Sequence, residues 1–151
     1  MGKRKKLYFY AYCGIVLLLV VIKFQGNVYS IADTIDNIVM SRQLGCWNYN
    51  LIPFATLTRE VIEENYFILC ANVMVFIPLG LLLPWTFQKL NNFRKVLGCM
   101  FLFILCCEFL QFIFKLGFFD IDDIILNLIG GCIGYVIYIV IGHHERVAIK
   151  K

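Results

Sequence analysis

The chain carries a group of acidic side chains directly before a long apolar run. Asp120, Asp122 and Asp123 precede the run that begins at Ile124, and Asn127 lies four residues after Asp123. Carboxylate and amide oxygens can hold a divalent cation or bind the polar head of a ligand. The same acids are also typical of a helix N-terminus, where they cap backbone N–H groups and meet the positive end of the helix dipole. The sequence leaves both interpretations open.

A second set of polar side chains lies inside runs that are otherwise apolar. Its members are Asn72, Glu108 and Gln111, and the last two are three residues apart and therefore share a helix face. An acid at this depth costs at least about 2.5 kcal/mol on insertion scales, so it normally faces a cavity or a partner. With Asn127, these residues all fall in the outer third of their runs. We expect one polar layer, which either binds a ligand or is a structural hydrogen-bond network.

The composition indicates a membrane protein. The 151 residues are 61% hydrophobic and the mean hydropathy is +0.79, which is more apolar surface than a soluble domain of this size can bury. Four apolar runs are each close to the ~20 residues that a helix needs to cross a hydrocarbon core. The predicted fold is therefore all-α: a four-helix transmembrane bundle with spans at about 7–22, 66–85, 96–114 and 124–142, and an outer loop at 23–65.

The distribution of basic residues predicts the orientation. Ten of the 14 lysines and arginines lie at the amino terminus, between the second and third runs, or in the carboxy-terminal tail. The positive-inside rule then places both termini in the cytoplasm of a multi-pass cell-membrane protein. The net positive charge reflects this topology, and no nucleic-acid partner is predicted. The predicted domains are a basic amino terminus (1–6), a membrane domain (7–142) and a basic tail (143–151).

The outer loop contains the segment that must cover the polar layer. Residues 30–40 have the spacing of an amphipathic helix. Residues 47–54 are apolar and aromatic, include Asn50, and are broken by Pro53, so they are too short to span a bilayer. We expect this segment to pack on the mouth of the bundle or to lie in the interface, anchored by Trp47 and Phe54.

Two glycines predict how the last run packs. Gly130 and Gly134 are one turn apart and follow Asn127 along the same helix face. Small residues at this spacing let a second helix approach closely. We expect the face to point into protein rather than lipid, and it is also a candidate surface for a homodimer.

The sequence offers no recognisable catalytic pair. Of the seven cysteines only Cys46 falls outside the apolar runs, and no C-x-x-C or His/Cys zinc pattern occurs. No serine or cysteine stands beside Glu108 at helical spacing, and the two histidines, His143 and His144, lie in the tail. We predict no metal and no cofactor. Whether the protein is an enzyme stays open, and a non-enzymatic role is favoured.

In their order and spacing, these residues resemble the VanZ family of membrane proteins. The resemblance runs from about residue 50 to residue 135 and includes 50–54, Asn72 with 76–80, 108–111, 119–123, and Asn127 with 130–131. It implies an association with resistance to the glycopeptide teicoplanin and its lipidated relatives, without a defined reaction.

The sequence and the resemblance together predict a non-enzymatic envelope protein that acts at the outer leaflet. Its expected partners are membrane lipids, a lipid-linked cell-wall precursor or lipoglycopeptide, and a second copy of the chain. The candidate ligand-binding residues are Asn50, Pro53, Asn72, Glu108, Gln111, Asp120, Asp122, Asp123 and Asn127.

Two alternatives remain. One is a metal-dependent enzyme that acts on a phosphate-bearing lipid, and the other is a proton-coupled transporter that uses Glu108. Among the aspartates, we expect substitution to cost most at Asp123, which shares a face with Asn127, and least at Asp122, which does not.

Overall fold

The computed structural model describes residues 2–21, 28–90 and 92–149. In these ranges the chain forms six helices and one pair of two-residue strands. The parallel pairing of Tyr49 with Phe119 and Asn50 with Asp120 is a small exception to the predicted all-α class. In chain order the elements are α1 (Gly2–Val21), α2 (Val28–Gln43), β1 (Tyr49–Asn50), α3 (Ala55–Ile62), α4 (Tyr66–Thr86), α5 (Phe93–Phe114), β2 (Phe119–Asp120) and α6 (Ile121–Ile149).

Three helices in the described ranges are long and apolar enough to cross a membrane: Tyr66–Thr86, Phe93–Phe114 and Ile121–Gly142. They correspond to the second, third and fourth predicted runs. Two of them begin three residues earlier than predicted because a polar residue caps each start. The Asn92 side chain accepts a hydrogen bond from the Lys95 backbone N–H. The Asp120 side chain accepts one from the Asp122 backbone N–H.

The first helix is different. The basic residues 3–6 lie inside α1, so its apolar part is limited to 7–21. This part packs against α4 and α5. The Tyr12 hydroxyl donates to the Val75 carbonyl at 2.7 Å, and the Phe9 ring meets the Phe87 ring edge-on with centroids 5.2 Å apart. A span at 7–22 stays a prediction, and residue 22 lies outside the described residues.

The predicted outer loop and tail contain more helix than expected. The amphipathic segment at 30–40 is confirmed as part of α2, and a second short helix, α3, follows β1. At the other end, α6 continues beyond Gly142 to Ile149, so most of the predicted tail at 143–151 is helical. Residues 23–27, 150 and 151 lie outside the described part.

The closest helix contact is between α4 and α6, and it is made through glycine. A Cβ on Gly80 would lie 1.8 Å from the Gly131 carbonyl oxygen, and one on Gly134 would lie 1.8 Å from the Ile77 carbonyl oxygen. Gly130 meets the backbone of α4 in the same way. The prediction that this face points into protein is therefore confirmed. Within the chain α4 covers this face, and a homodimer stays a prediction.

Candidate functional site

The candidate polar residues come together where β2 leads into α6. Side chains from α4, α5 and α6 meet there beneath β1 and α3. Six of the nine candidate residues are at most 7% exposed: Glu108, Gln111, Asp120, Asp122, Asp123 and Asn127.

Asp120 is the N-cap of α6. One carboxylate oxygen accepts the Asp122 backbone N–H at 2.9 Å. The other accepts the Thr56 hydroxyl at 2.5 Å and the Asn50 side-chain amide at 3.4 Å. The N-cap interpretation is therefore confirmed for this residue. The carboxylate also connects the start of α6 to Asn50 in β1 and to Thr56 in α3. The N-cap interpretation did not predict these two contacts.

Asp122 caps a different helix. Its two oxygens accept the backbone N–H groups of Phe54, at 2.6 Å, and Leu57, at 3.0 Å. The residue at the α3 N-cap position, Phe54, has a left-handed backbone (φ +66°) and no side-chain capping bond, so Asp122 satisfies N–H groups that α3 would otherwise leave open. The expectation that Asp122 tolerates substitution best stays untested, but these bonds remove its basis. It rested on the α6 face alone, whereas α3 packs over the first turn of α6.

Asp123 connects the N-terminal parts of α6 and α4. The Asn72 side-chain amide donates to its carboxylate at 2.7 Å. Asn72 therefore belongs to the same polar layer as the aspartates. This agrees with the prediction made from its position within the second apolar run. This bond lies on the side of the bundle where α4 and α6 also meet through glycine.

Glu108 and Gln111 bring α5 into the layer. Glu108 is 1% exposed and Gln111 is fully buried. The Asp120 backbone N–H donates to the Glu108 carboxylate at 3.3 Å, so the acid is placed against β2. Asn127, one turn beyond Asp123, is equally buried, and its side-chain oxygen has no hydrogen-bond partner among the residues that the structure describes.

Asn50 and Pro53 lie at the outer edge of the layer. The Asn50 side chain donates to the Thr56 hydroxyl at 2.9 Å and accepts the Ile52 backbone N–H at 3.2 Å. Pro53 is exposed in the turn before α3 and contributes no side-chain hydrogen-bonding group. The structure therefore includes Asn50 in the polar network and leaves Pro53 outside it.

Three residues of the site were not predicted from the sequence: Thr56, Arg42 and Asn48. Asn48 is 2% exposed, donates to the Gly117 carbonyl at 2.6 Å and accepts from Arg42 Nε at 2.8 Å. These bonds bring β1 beside β2. The only signal in the sequence was the presence of Arg42 in an outer loop that has few basic residues, and nothing in the spacing indicated its partners.

The arrangement is suited to holding a backbone segment. We define the mouth segment as residues 49–57. Asp120 and Asp122 accept bonds from Thr56, Phe54 and Leu57 within it. In the described ranges, no group of three or more His, Cys, Asp or Glu side chains is arranged to hold a metal ion. Through their bonds to Thr56, Phe54 and Leu57, the carboxylates place the mouth segment over the bundle.

Comparison with known proteins gives the family. A family model described as VanZ/LLP1 matches residues 9–142, which include every candidate site residue. Protein VanZ of Enterococcus faecium is 34% identical over 125 residues, which cover 82% of this chain and 66% of that protein, just under two thirds of its length. No solved structure matches the chain. Since the family model extends over α1 to α6 and over the whole polar layer, the chain belongs to the VanZ/LLP1 family.

Proposed function

We propose that this protein binds an amphiphile at the outer leaflet of the bacterial cell membrane, without converting it chemically. The ligand in this proposal is a lipid-linked cell-wall precursor or a lipoglycopeptide of the teicoplanin type. The chain crosses the membrane four times, with α1 as the first span and both termini in the cytoplasm. Family membership and three apolar helices support the membrane location. The excess of basic residues at both termini and around the connection of α4 to α5 supports the orientation.

One observation carries the proposal: buried aspartates hold an apolar segment that is itself exposed. Leu51, Ile52 and Phe54 are 55%, 70% and 58% exposed, although the backbone of the segment is bonded to Asp122 from beneath. Clustered exposed apolar side chains are typical of a surface that meets lipid or a ligand. Because the backbone is already fixed, less conformational entropy is lost on binding. These features suit a ligand with an acyl chain and a polar head.

Antibiotic susceptibility tests this proposal. The protein is expressed in a susceptible Gram-positive host, and growth inhibition by teicoplanin is compared with inhibition by vancomycin, which lacks the lipid chain. We expect protection against teicoplanin to exceed protection against vancomycin. Equal protection against both, or none at normal expression, would contradict a ligand that is recognised through its acyl chain.

Two isoleucines provide a matched pair of variants. Ile52 and Ile62 are 70% and 75% exposed, but only Ile52 lies in the mouth segment. Ile52→Ser should therefore reduce protection, whereas Ile62→Ser, at the far end of α3, should leave it unchanged. An equal loss in both variants would indicate general contact with lipid rather than a ligand site.

Cysteine labelling tests the topology. Cys46 is exposed in the described structure and follows α2 on the proposed outer side, while Gln88 is exposed between α4 and α5. We expect an impermeant thiol reagent to label a protein that retains Cys46 alone in intact cells. A protein with Gln88→Cys as its single cysteine should react only after permeabilisation. The opposite pattern would invert the proposed orientation.

Glu108 favours a second candidate function, proton-coupled transport. The acid is 1% exposed inside α5, where an ionisable group usually has a functional role. Glu108→Gln separates the two functions, because glutamine keeps an acceptor oxygen for the Asp120 N–H but cannot carry a proton. Amphiphile binding should survive this change, whereas proton-linked flux in vesicles should be lost.

A further inference from the structure

An apolar groove runs along the face of α5 that points away from the helix core. The groove has a volume of about 640 Å³ and is lined on this helix by Leu102, Leu105, Cys106, Phe109 and Phe112. These residues recur at spacings of three and four and so form one stripe. Because α5 is long and apolar enough to span a membrane, the stripe would lie against acyl chains.

Arg42 lies at the end of this groove. Its Nη2 donates to the Phe112 carbonyl at 2.7 Å, and its Nε donates to Asn48 at 2.8 Å. The guanidinium carbon is 5.0 Å from the Phe112 ring centroid and 5.2 Å from that of Trp47. The two rings stack with centroids 6.2 Å apart. A positive charge is therefore fixed where the apolar stripe ends.

This charge has no acidic partner in the part of the chain that the structure describes. The hydrogen bonds of Arg42 go to an amide and a carbonyl oxygen, and they leave Nη1 without a bond to any described residue. Arg59 offers the contrast, since its guanidinium pairs with the Glu60 carboxylate at 3.2 Å. A guanidinium presents five N–H donors and binds a phosphate group through two of them.

We propose that this groove binds one anionic phospholipid, with an acyl chain along the α5 stripe and the phosphate on Arg42. The apolar length and the single fixed positive charge match the two parts of such a lipid. The site lies on the outside of α5, whereas the carboxylate network lies on its buried side. Tyr49 and Leu51 of the mouth segment also line the groove, so the site adjoins the surface of the proposed function. The inference goes beyond that function because Arg42 selects the lipid by its phosphate, and it requires no antibiotic or cell-wall precursor.

Tryptophan fluorescence tests the inference directly. The chain has two tryptophans, and Trp85→Phe leaves Trp47, which stacks at the end of the groove, as the single reporter. The full-length protein is reconstituted in phosphatidylcholine vesicles that contain a small fraction of either brominated phosphatidylglycerol or brominated phosphatidylcholine. We expect an apparent preference of about fivefold for the anionic lipid in quenching Trp47, from one cation near the headgroup. The preference should fall as salt is added.

Two matched variants locate the charge. Arg42→Gln and Arg59→Gln each remove one positive charge, but only Arg42 lacks an acidic partner among the described side chains. Arg42→Gln should abolish the preference and keep the weaker quenching by brominated phosphatidylcholine, while Arg59→Gln should retain the preference. No preference in the reporter protein, or the same preference in both variants, would overturn the inference.

Cys106→Phe tests the groove independently of Arg42. Cys106 is exposed and lines the groove, so a phenylalanine can fill the space without entering the helix core. The preference for the anionic lipid should then decrease although Arg42 is unchanged. If it is retained in full, the acyl chain does not occupy the groove and the inference fails. This variant also decides the question if Arg42→Gln does not fold.

Discussion

Two parts of α6 are held in place by different means. At the start of the helix, Asp120 and Asp122 bond to Thr56, Phe54 and Leu57 of the mouth segment. Further along the helix, Gly130 and Gly134 bring its backbone against the backbone of α4. Close backbone contact fixes a pair of helices, whereas side-chain acceptors fix a segment that could otherwise separate from the bundle. The fold and the position of the mouth segment should therefore be separable by substitution.

The largest effect is expected at the glycine contact. In Gly134→Ala the new Cβ would lie 1.8 Å from the Ile77 carbonyl oxygen, which is backbone and cannot move without separating α4 from α6. We expect a loss of about 3 kcal/mol in the free energy of unfolding, measured by thermal unfolding in detergent. Gly98→Ala is the control, because no atom lies within 4 Å of its Cβ position. Equal stability of the two variants would show that α4 and α6 are not held by this contact.

The outcome at α6 shows what a sequence can predict. The last three apolar runs, the glycine face and the helix start at the aspartates depend on residues close together in the chain, so periodicity and spacing predicted them. They did not single out Asp120 as the N-cap. The role of Asp122 depends on Phe54 and Leu57, which precede it by 68 and 65 positions. Helical periodicity carries no information about a segment packed over a helix end.

The same reason explains what was missed around Arg42. Its bonds reach Asn48, six residues away, and the Phe112 carbonyl, 70 residues away. The second contact is to a backbone carbonyl oxygen. Every residue type has one, so the sequence could not indicate this contact. The first predicted span has a different outcome: α1 is not among the three described helices that are long and apolar enough to cross a membrane, and four basic residues lie within it.

The next effect in size is expected in the first turn of α6. Asp122→Ala leaves the N–H groups of Phe54 and Leu57 without their acceptors, which should cost about 1–3 kcal/mol. Asp122→Asn keeps one acceptor oxygen and should lose less. Asp36→Asn is the control, since Asp36 is exposed on α2. If Asp122→Ala were as stable as this control, the capping bonds would not contribute to stability, and thermal unfolding decides between the two results.

A smaller effect is expected between α4 and α6 at the Asn72–Asp123 bond of 2.7 Å. A double-mutant cycle with Asn72→Ala and Asp123→Ala should give a coupling energy of about 1 kcal/mol or more, because one partner is a carboxyl group. Each single variant serves as the control for the other. A coupling energy of zero would show that this bond does not connect the two helices.

The smallest change in stability is expected at Asn127. Its side-chain oxygen is buried with no hydrogen-bond partner among the described residues, and replacing such a group by an apolar one of similar size is close to neutral or stabilising. Asn127→Leu should therefore unfold at the same temperature as the unmodified protein or higher. A loss as large as that of Asp122→Ala would show that the amide makes a stabilising contact.

Amide hydrogen exchange of the mouth segment tests most directly whether Asp122 holds that segment in place. The rates at Phe54 and Leu57 are compared between the unmodified protein and Asp122→Ala, both in lipid nanodiscs. Loss of the two acceptor bonds should speed exchange at these amides about tenfold, the equivalent of ~1.4 kcal/mol. Amides at the glycine contact, such as Ile77 and Gly134, should exchange at unchanged rates. Unchanged exchange at Phe54 and Leu57 in Asp122→Ala would contradict the claim that Asp122 holds the mouth segment in place.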